Sequence, residues 1–239
     1  MFPGIGVLTN IFGIIFGGII GLGFGRLISE RFQKTLTMAC AVAVIFLGLT
    51  STVKEMLSIT VNGTLELTGT YRMLASLIGG ALIGELINIE DRMEHFGIWL
   101  KEKTGSGGDA RFVDGFVTAS LTVCIGAMAV IGSIDDRLLA DPSILFAKTV
   151  LDAVIVMIMT ASLGKGCIFS ALSVGIFQGA IFFAAGFLKP FMTQEALSAL
   201  SAVGDILIFC VGTNLFGLPH IRVANLLPAL VIAVLWVLV

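Results

Sequence analysis

The sequence predicts an all-α, polytopic membrane protein with about eight transmembrane helices, on three observations. Hydrophobic residues make up 57% of the 239 residues and charged residues only 13%, against roughly 25% charged in soluble domains. Mean hydropathy is +1.06. Apolar runs of about 20 residues, the length that crosses a bilayer, recur from end to end with little between them. So little charge cannot cover a water-facing surface, and so little loop leaves no room for a soluble catalytic domain. The whole chain, 1–239, reads as a single membrane domain.

Charged residues and Gly/Pro punctuation set eight spans at 5–27, 35–57, 71–89, 112–134, 144–163, 166–188, 195–216 and 222–239. The first lacks a basic leader and is too long for a signal-peptide core, so it is expected to be retained. It carries Gly13, Gly17, Gly21 and Gly25, four apart on one stripe, where another backbone can approach. Close packing or a homodimer explains this stripe better than a pore lining. Gly80 and Gly84 repeat the pattern in the third span. Between the second and third spans, Asn62-Gly63 flanked by β-formers predicts an extracytoplasmic hairpin; Asn62-Gly63-Thr64 also fits an N-glycosylation pattern, to which the turn is preferred. After the third, Met93, Phe96, Trp99 and Leu100 oppose Asp91, Arg92, Glu94, Lys101 and Glu102, which predicts a cytoplasmic amphipathic helix over 89–103. A Gly-Ser linker at 105–108 follows. Gly126 and Gly132 in the fourth span, and Asn225 and Pro228 in the last, mark candidate helix breaks. Gly164-Lys165-Gly166 forms a tight turn between the fifth and sixth spans.

Lys and Arg are concentrated in alternate loops. One set holds Arg26, Arg31, Lys34, Arg92, Lys101, Lys103, Arg111, Lys165 and Arg222; the other holds Lys54, Arg72, Arg137, Lys148 and Lys189. The positive-inside rule puts the first set in the cytoplasm and both termini outside. Spans 1–3 (4–89) also align with spans 6–8 (166–239): Leu8-Thr9 with Phe169-Ser170, Gly48-Leu49-Thr50 with Gly212-Thr213-Asn214, Tyr71-Arg72-Met73 with Ile221-Arg222-Val223. The shift of five spans is odd, so the two units would be inverted, as in many secondary transporters. Shared apolar composition is the competing explanation.

Motifs of soluble enzymes are absent, and the chain is not expected to be an enzyme. A net charge of −2 argues against a nucleic-acid partner. Cys40, Cys124, Cys167 and Cys210 lie in apolar runs without metal-ligand spacing, so neither disulfides nor a metal site is expected. The partners that remain are the bilayer, a small polar solute or ion, and a second copy of the chain.

Polar groups inside the spans carry the functional expectation, because a charge in hydrocarbon costs about 2.5–3.5 kcal/mol even on lenient scales. The candidates for a substrate or ion pathway are Asp205, Asp152, Lys148, Glu85, Asp114, Gln178, Asn10, Asn214 and Asn225. Lys148 and Asp152 are one turn apart and can pair; Asp205 has no base on its own helix. No cofactor is expected beyond a coupling proton or sodium ion. The leading expectation is a secondary transporter or permease for a small polar or charged solute. A channel, or a membrane scaffold or partner subunit that moves nothing, stands as the alternative.

Several segments resemble the YqgA family of bacterial inner-membrane proteins, domain of unknown function 554. They are residues 79–90, Arg111 to Ser120, Gly126 to Ile134, Lys148-Thr149-Val150-Leu151-Asp152 and Ile221 to Ala229. The chain has Asp114 where that family often has Glu, and Ala127 where it often has Pro. The resemblance implies a multi-pass protein of a prokaryotic plasma membrane and carries no activity with it.

Overall fold

The computed structural model describes residues 2–27, 29–59 and 64–238. Its architecture is helical apart from one pair of three-residue strands. Six helices are individually long and apolar enough to cross a membrane: α1 (Ile5–Leu27), α2 (Glu30–Met56), α3 (Thr70–Ile87), α7 (Ser143–Leu163), α8 (Ser170–Leu188) and α9 (Gln194–Phe216). A seventh crossing is supplied if the bent pair α5 (Phe112–Cys124) and α6 (Ala127–Leu138) counts as one. Two expectations are corrected here. The fourth span is two helices bent by 64° rather than one straight helix over 112–134. The last expected span, 222–239, is a short 3-10 turn over Val223–Leu226 followed by α10 (Pro228–Leu238). At 11 residues α10 is about 16 Å long, roughly half the hydrocarbon thickness. Pro228 stands at its first position, where a missing N–H costs nothing.

The amphipathic helix α4 (Ile89–Lys103) forms over the expected residues. It buries Gly97 and Leu100 against α5 and sets Phe96 against Phe116 with ring centroids 5.8 Å apart and planes tilted by 59°; Trp99 stacks on Phe96 but stays exposed. Strands β1 (Leu57–Ile59) and β2 (Leu65–Leu67) pair antiparallel with Ser58 opposite Glu66. The expected turn at Asn62-Gly63 lies outside the described residues.

Side-chain contacts fix the directions of the helices. Cβ atoms placed at Gly13, Gly17, Gly21 and Gly25 would strike Thr149, Ala153, Met157 and Ala161 in that order. The glycine stripe of α1 is therefore packed within the chain against α7, and the two helices run parallel. Gly48 of α2 meets Asp205 and Phe209 of α9, while Gly212 of α9 meets Ile45 and Ala41 of α2, so this pair is antiparallel. Gly80 of α3 meets Ala229 within α10 and Gly84 meets Asn225 ahead of it, again antiparallel. On α1, Val7 clusters with Phe182 and Ile14 with Val174, which makes α1 and α8 antiparallel as well. The beginnings of α1, α3, α7 and α9 thus lie at one face, with the end of α10; this is called the terminal face. The opposite face carries α4.

Asp136, near the end of α6, is fully buried and caps α1 across the fold. Its carboxylate accepts from the N–H groups of Gly4, Gly6 and Val7 at 3.0–3.2 Å. These are among the amides that every helix start leaves unpaired, and the helix dipole favours an anion there. In the loop before α7, the Asp141 carboxylate accepts from the Ser143 hydroxyl and N–H, which holds it below the usual carboxylate range.

A broken span between two polar cavities

The break in the bent span falls at Ile125-Gly126. Gly126 has φ +140° and ψ 150°, a backbone conformation that a side chain would strain. With the helix ended at Cys124, the Val123 carbonyl has no amide four residues on to accept from. Lys148 of α7 supplies the donor: its Nζ reaches the Val123 oxygen at 2.8 Å. The same ammonium lies 2.8 Å from the Asp152 carboxylate, one turn further along α7. Lys148 is shared between both carboxylate oxygens, and Asn10 of α1 donates to Oδ2 at 3.1 Å. All three side chains are buried. Lys148, Asp152 and Asn10 are thus one network with no net charge, and it braces the break.

Gln178 is also fully buried, and among the described residues neither end of its amide is paired; the Asn10 carbonyl oxygen is unpaired as well. Gln178 lies between Val174 and Phe182 on α8, as Asn10 lies between Val7 and Ile14 on α1, so the two amides share one level of the antiparallel pair.

The other flank of the break meets α9. A Cβ at Gly204 would lie 3.2 Å from the Ile125 side chain and 3.9 Å from the Gly126 nitrogen. Two polar cavities open on either side of this contact. The terminal-face cavity, about 350 Å³, is lined by Glu55, Arg72, Ser76, Glu195, Ser198 and Val203 among others. Within it the Ser198 hydroxyl donates to Glu55 at 2.5 Å. The α4-face cavity, about 340 Å³, is lined by Thr37, Glu90, Glu94, Asp114, Asn214 and His220 among others. Along α9 the cavities end at Val203 and begin again at Val211, a rise of about 12 Å. That gap is filled by one apolar cluster containing Leu121, Ile125, Val203, Leu207 and Val211.

Asp205 lies in this gap. It shares a face of α9 with Ser198 and Ala202, which line the terminal-face cavity, and sits just below them. Among the described residues no hydrogen bond or ion pair reaches its carboxylate; Glu55 and Lys54 are the charged groups that act on it. Asp152, by contrast, is on α7 and lines neither cavity.

The remaining candidates gather at the α4 face. Asn225 donates to Glu85 at 2.5 Å, and Arg222 pairs with Glu85 at 2.9 Å. Asn225 also accepts from the Glu90 N–H at 2.8 Å. Asn214 clasps Ile221 by both its N–H and its carbonyl, at 2.8 Å each. Asp114 reaches the α4-face cavity. Sequence reasoning passed over Glu90, which is 3% exposed, accepts from the Ala224 N–H at 2.8 Å and stands 3.0 Å from His220. It also passed over Glu55, Glu195 and Asp136. Asp136 stands between Asp135 and Arg137, so nothing in its local sequence set it apart from a charged span end.

A family model described as "Protein of unknown function (DUF554)" matches residues 5–238. The chain belongs to the DUF554 family. Two relatives cover nearly the full length: the uncharacterized membrane protein YdfK of Bacillus subtilis (strain 168), 27% identical over 229 residues, 95% of this chain and 93% of the relative; and the uncharacterized protein YqgA of Escherichia coli (strain K12), 25% identical over 233 residues, 96% of this chain and 94% of the relative. No solved structure matches. The family membership and the relative's printed description as a membrane protein agree with the apolar helices in placing this DUF554 chain in a membrane.

Proposed function

We propose that the protein is a secondary transporter for a small polar or charged solute, working by alternating access with a cation as coupling partner. The observation that carries this reading is the pair of polar cavities at opposite faces, separated by about 12 Å of apolar packing that contains a broken span. Discontinuous helices beside a mid-membrane barrier are where transporters bind and gate.

The two cavities use opposite ends of α2 and α9. The terminal-face cavity takes the end of α2, the start of α3, the start of α9 and the end of α10. The α4-face cavity takes Thr37 near the start of α2, Glu90 and Glu94 of α4, one face of α5 from Val113 to Leu121, the last turns of α9 and His220 ahead of α10. Each of α1, α2 and α3 packs antiparallel on its expected counterpart, α8, α9 and α10. Gly48 and Gly212, aligned in sequence, each rest on the other's helix. These relations support an inverted repeat of 4–89 and 166–239 about a two-fold axis in the membrane plane. With α5–α6 and the short α10 each taken as a crossing, the chain crosses eight times, and the loop charges put both termini outside the cytoplasm of a prokaryotic plasma membrane.

Roles follow from charge balance. Lys148 and Asp152 neutralise each other and hold the break, so they are fixed. Asp205, unpaired among the described residues and just below the terminal-face cavity, is the exchangeable site; a bare carboxylate there takes up a proton or a cation. Saturable, cation-dependent flux in proteoliposomes containing only this protein tests the reading. Flux that never saturates would make it a channel, and no flux for any amino acid, organic acid or cation would favour a scaffold.

A further inference from the structure

A third cavity belongs to neither face. It is a lateral groove of about 600 Å³ walled by α6, α8, α9 and α10, with Gly126, Val130, Phe177, Leu200, Val231 and Val234 among its residues. Every lining residue is apolar or glycine, and the groove opens sideways from the helices that span the bilayer. It begins at the terminal face, where Leu188, Phe191 and Met192 form its rim, and ends at the break, at Gly126.

Its lining, its length and its rim select the occupant. From Leu227, just ahead of α10, to Leu235 the groove runs about 12 Å. The length is close to one leaflet, about 15 Å of hydrocarbon. At the rim stands Lys189, exposed, between two lining residues. Among the described residues no carboxylate lies within ion-pair distance of it, although Asp135 is within electrostatic reach.

We propose that this groove binds an acyl chain of an anionic phospholipid from the terminal-face leaflet, with Lys189 at the rim pairing with the headgroup phosphate. The chain end then lies against Gly126, so the lipid buttresses the broken span from the side opposite Lys148. This site is independent of the solute pathway and stands whether or not the protein transports.

Native mass spectrometry of the full chain, released from nanodiscs of equal phosphatidylglycerol and phosphatidylcholine, tests the assignment. The wild type should retain one phosphatidylglycerol in preference to phosphatidylcholine. Val231→Trp, at an exposed position on the groove wall, should reduce retention at least tenfold. Lys189→Glu, also exposed, should keep lipid binding but remove the headgroup preference. Melting temperatures near wild type certify both variants as folded. Equal retention in folded Val231→Trp, or an unchanged preference in Lys189→Glu, overturns the proposal. A species with the mass of two chains that Val231→Trp dissociates would overturn it in favour of a second copy.

Discussion

The Lys148 ammonium stands 2.8 Å from the Val123 carbonyl that the helix break leaves free, and Asp152 balances its charge from one turn away. Removing the cation alone should therefore do two kinds of damage. Lys148→Ala strands a buried carboxylate and a buried carbonyl, and should destabilise the protein by about 3–5 kcal/mol. Lys148→Ala with Asp152→Ala should recover a large part of that loss. Thermal or denaturant unfolding of the two variants and of Asp152→Ala completes the cycle; additive losses would show that the pair is not coupled.

Among the described residues Asp205 makes no such pair, so its neutralisation should spare the fold. Asp205→Asn is expected to melt like the wild type and to lose the pH or cation dependence of flux. Unchanged ion dependence would remove Asp205 from the coupling role.

The α1–α7 contact makes a sharper statement about glycine. A Cβ at Gly17 or Gly21 would overlap the carbonyl of Ala153 or Met157, which is backbone and cannot turn aside. Gly17→Ala should cost about 1–3 kcal/mol by overpacking, and Gly17→Leu more. Gly23, on the same helix with open space around it, provides the control: Gly23→Ala should be neutral or slightly stabilising. Equal melting temperatures for Gly17→Ala and Gly23→Ala would contradict the packing described.

Water access tests the two cavities. In a background without the four native cysteines, Ser198→Cys should react with a membrane-impermeant thiol reagent from the terminal face, and Thr118→Cys from the α4 face. Reaction of both from one side would refute their opposite orientation.

Much of this was legible in the sequence because it is local. The 3.6-residue spacing of Met93, Phe96 and Leu100 located α4 to the residue, and Gly126 did mark a break. Gly132, raised beside it, instead packs on Leu145. Lys148 and Asp152 could be paired because four residues on a helix make neighbours. The partners that complete the site could not be read: Val123 and Asn10 lie 25 and 142 residues from the groups they bond. Glu90 could not be singled out, because its burial depends on Asn225 and Ala224 arriving from more than 130 residues away. Chain length misled once. The run 222–239 is long enough to span as one helix, but Pro228 lacks the N–H to continue the turn before it, and the helix proper starts there.

The Asp136 cap bears on biogenesis. At translation speeds of about 5–20 residues per second, α1 leaves the ribosome roughly 6–26 s before the carboxylate that satisfies its first amides, and before α7, on which its glycines close. During that interval α1 sits in the bilayer with a bare N-terminus and an exposed stripe of backbone. The nascent chain therefore stays vulnerable to mispairing until its middle third has been inserted, and a truncation before α7 should yield a product for quality-control proteases rather than a stable half-molecule.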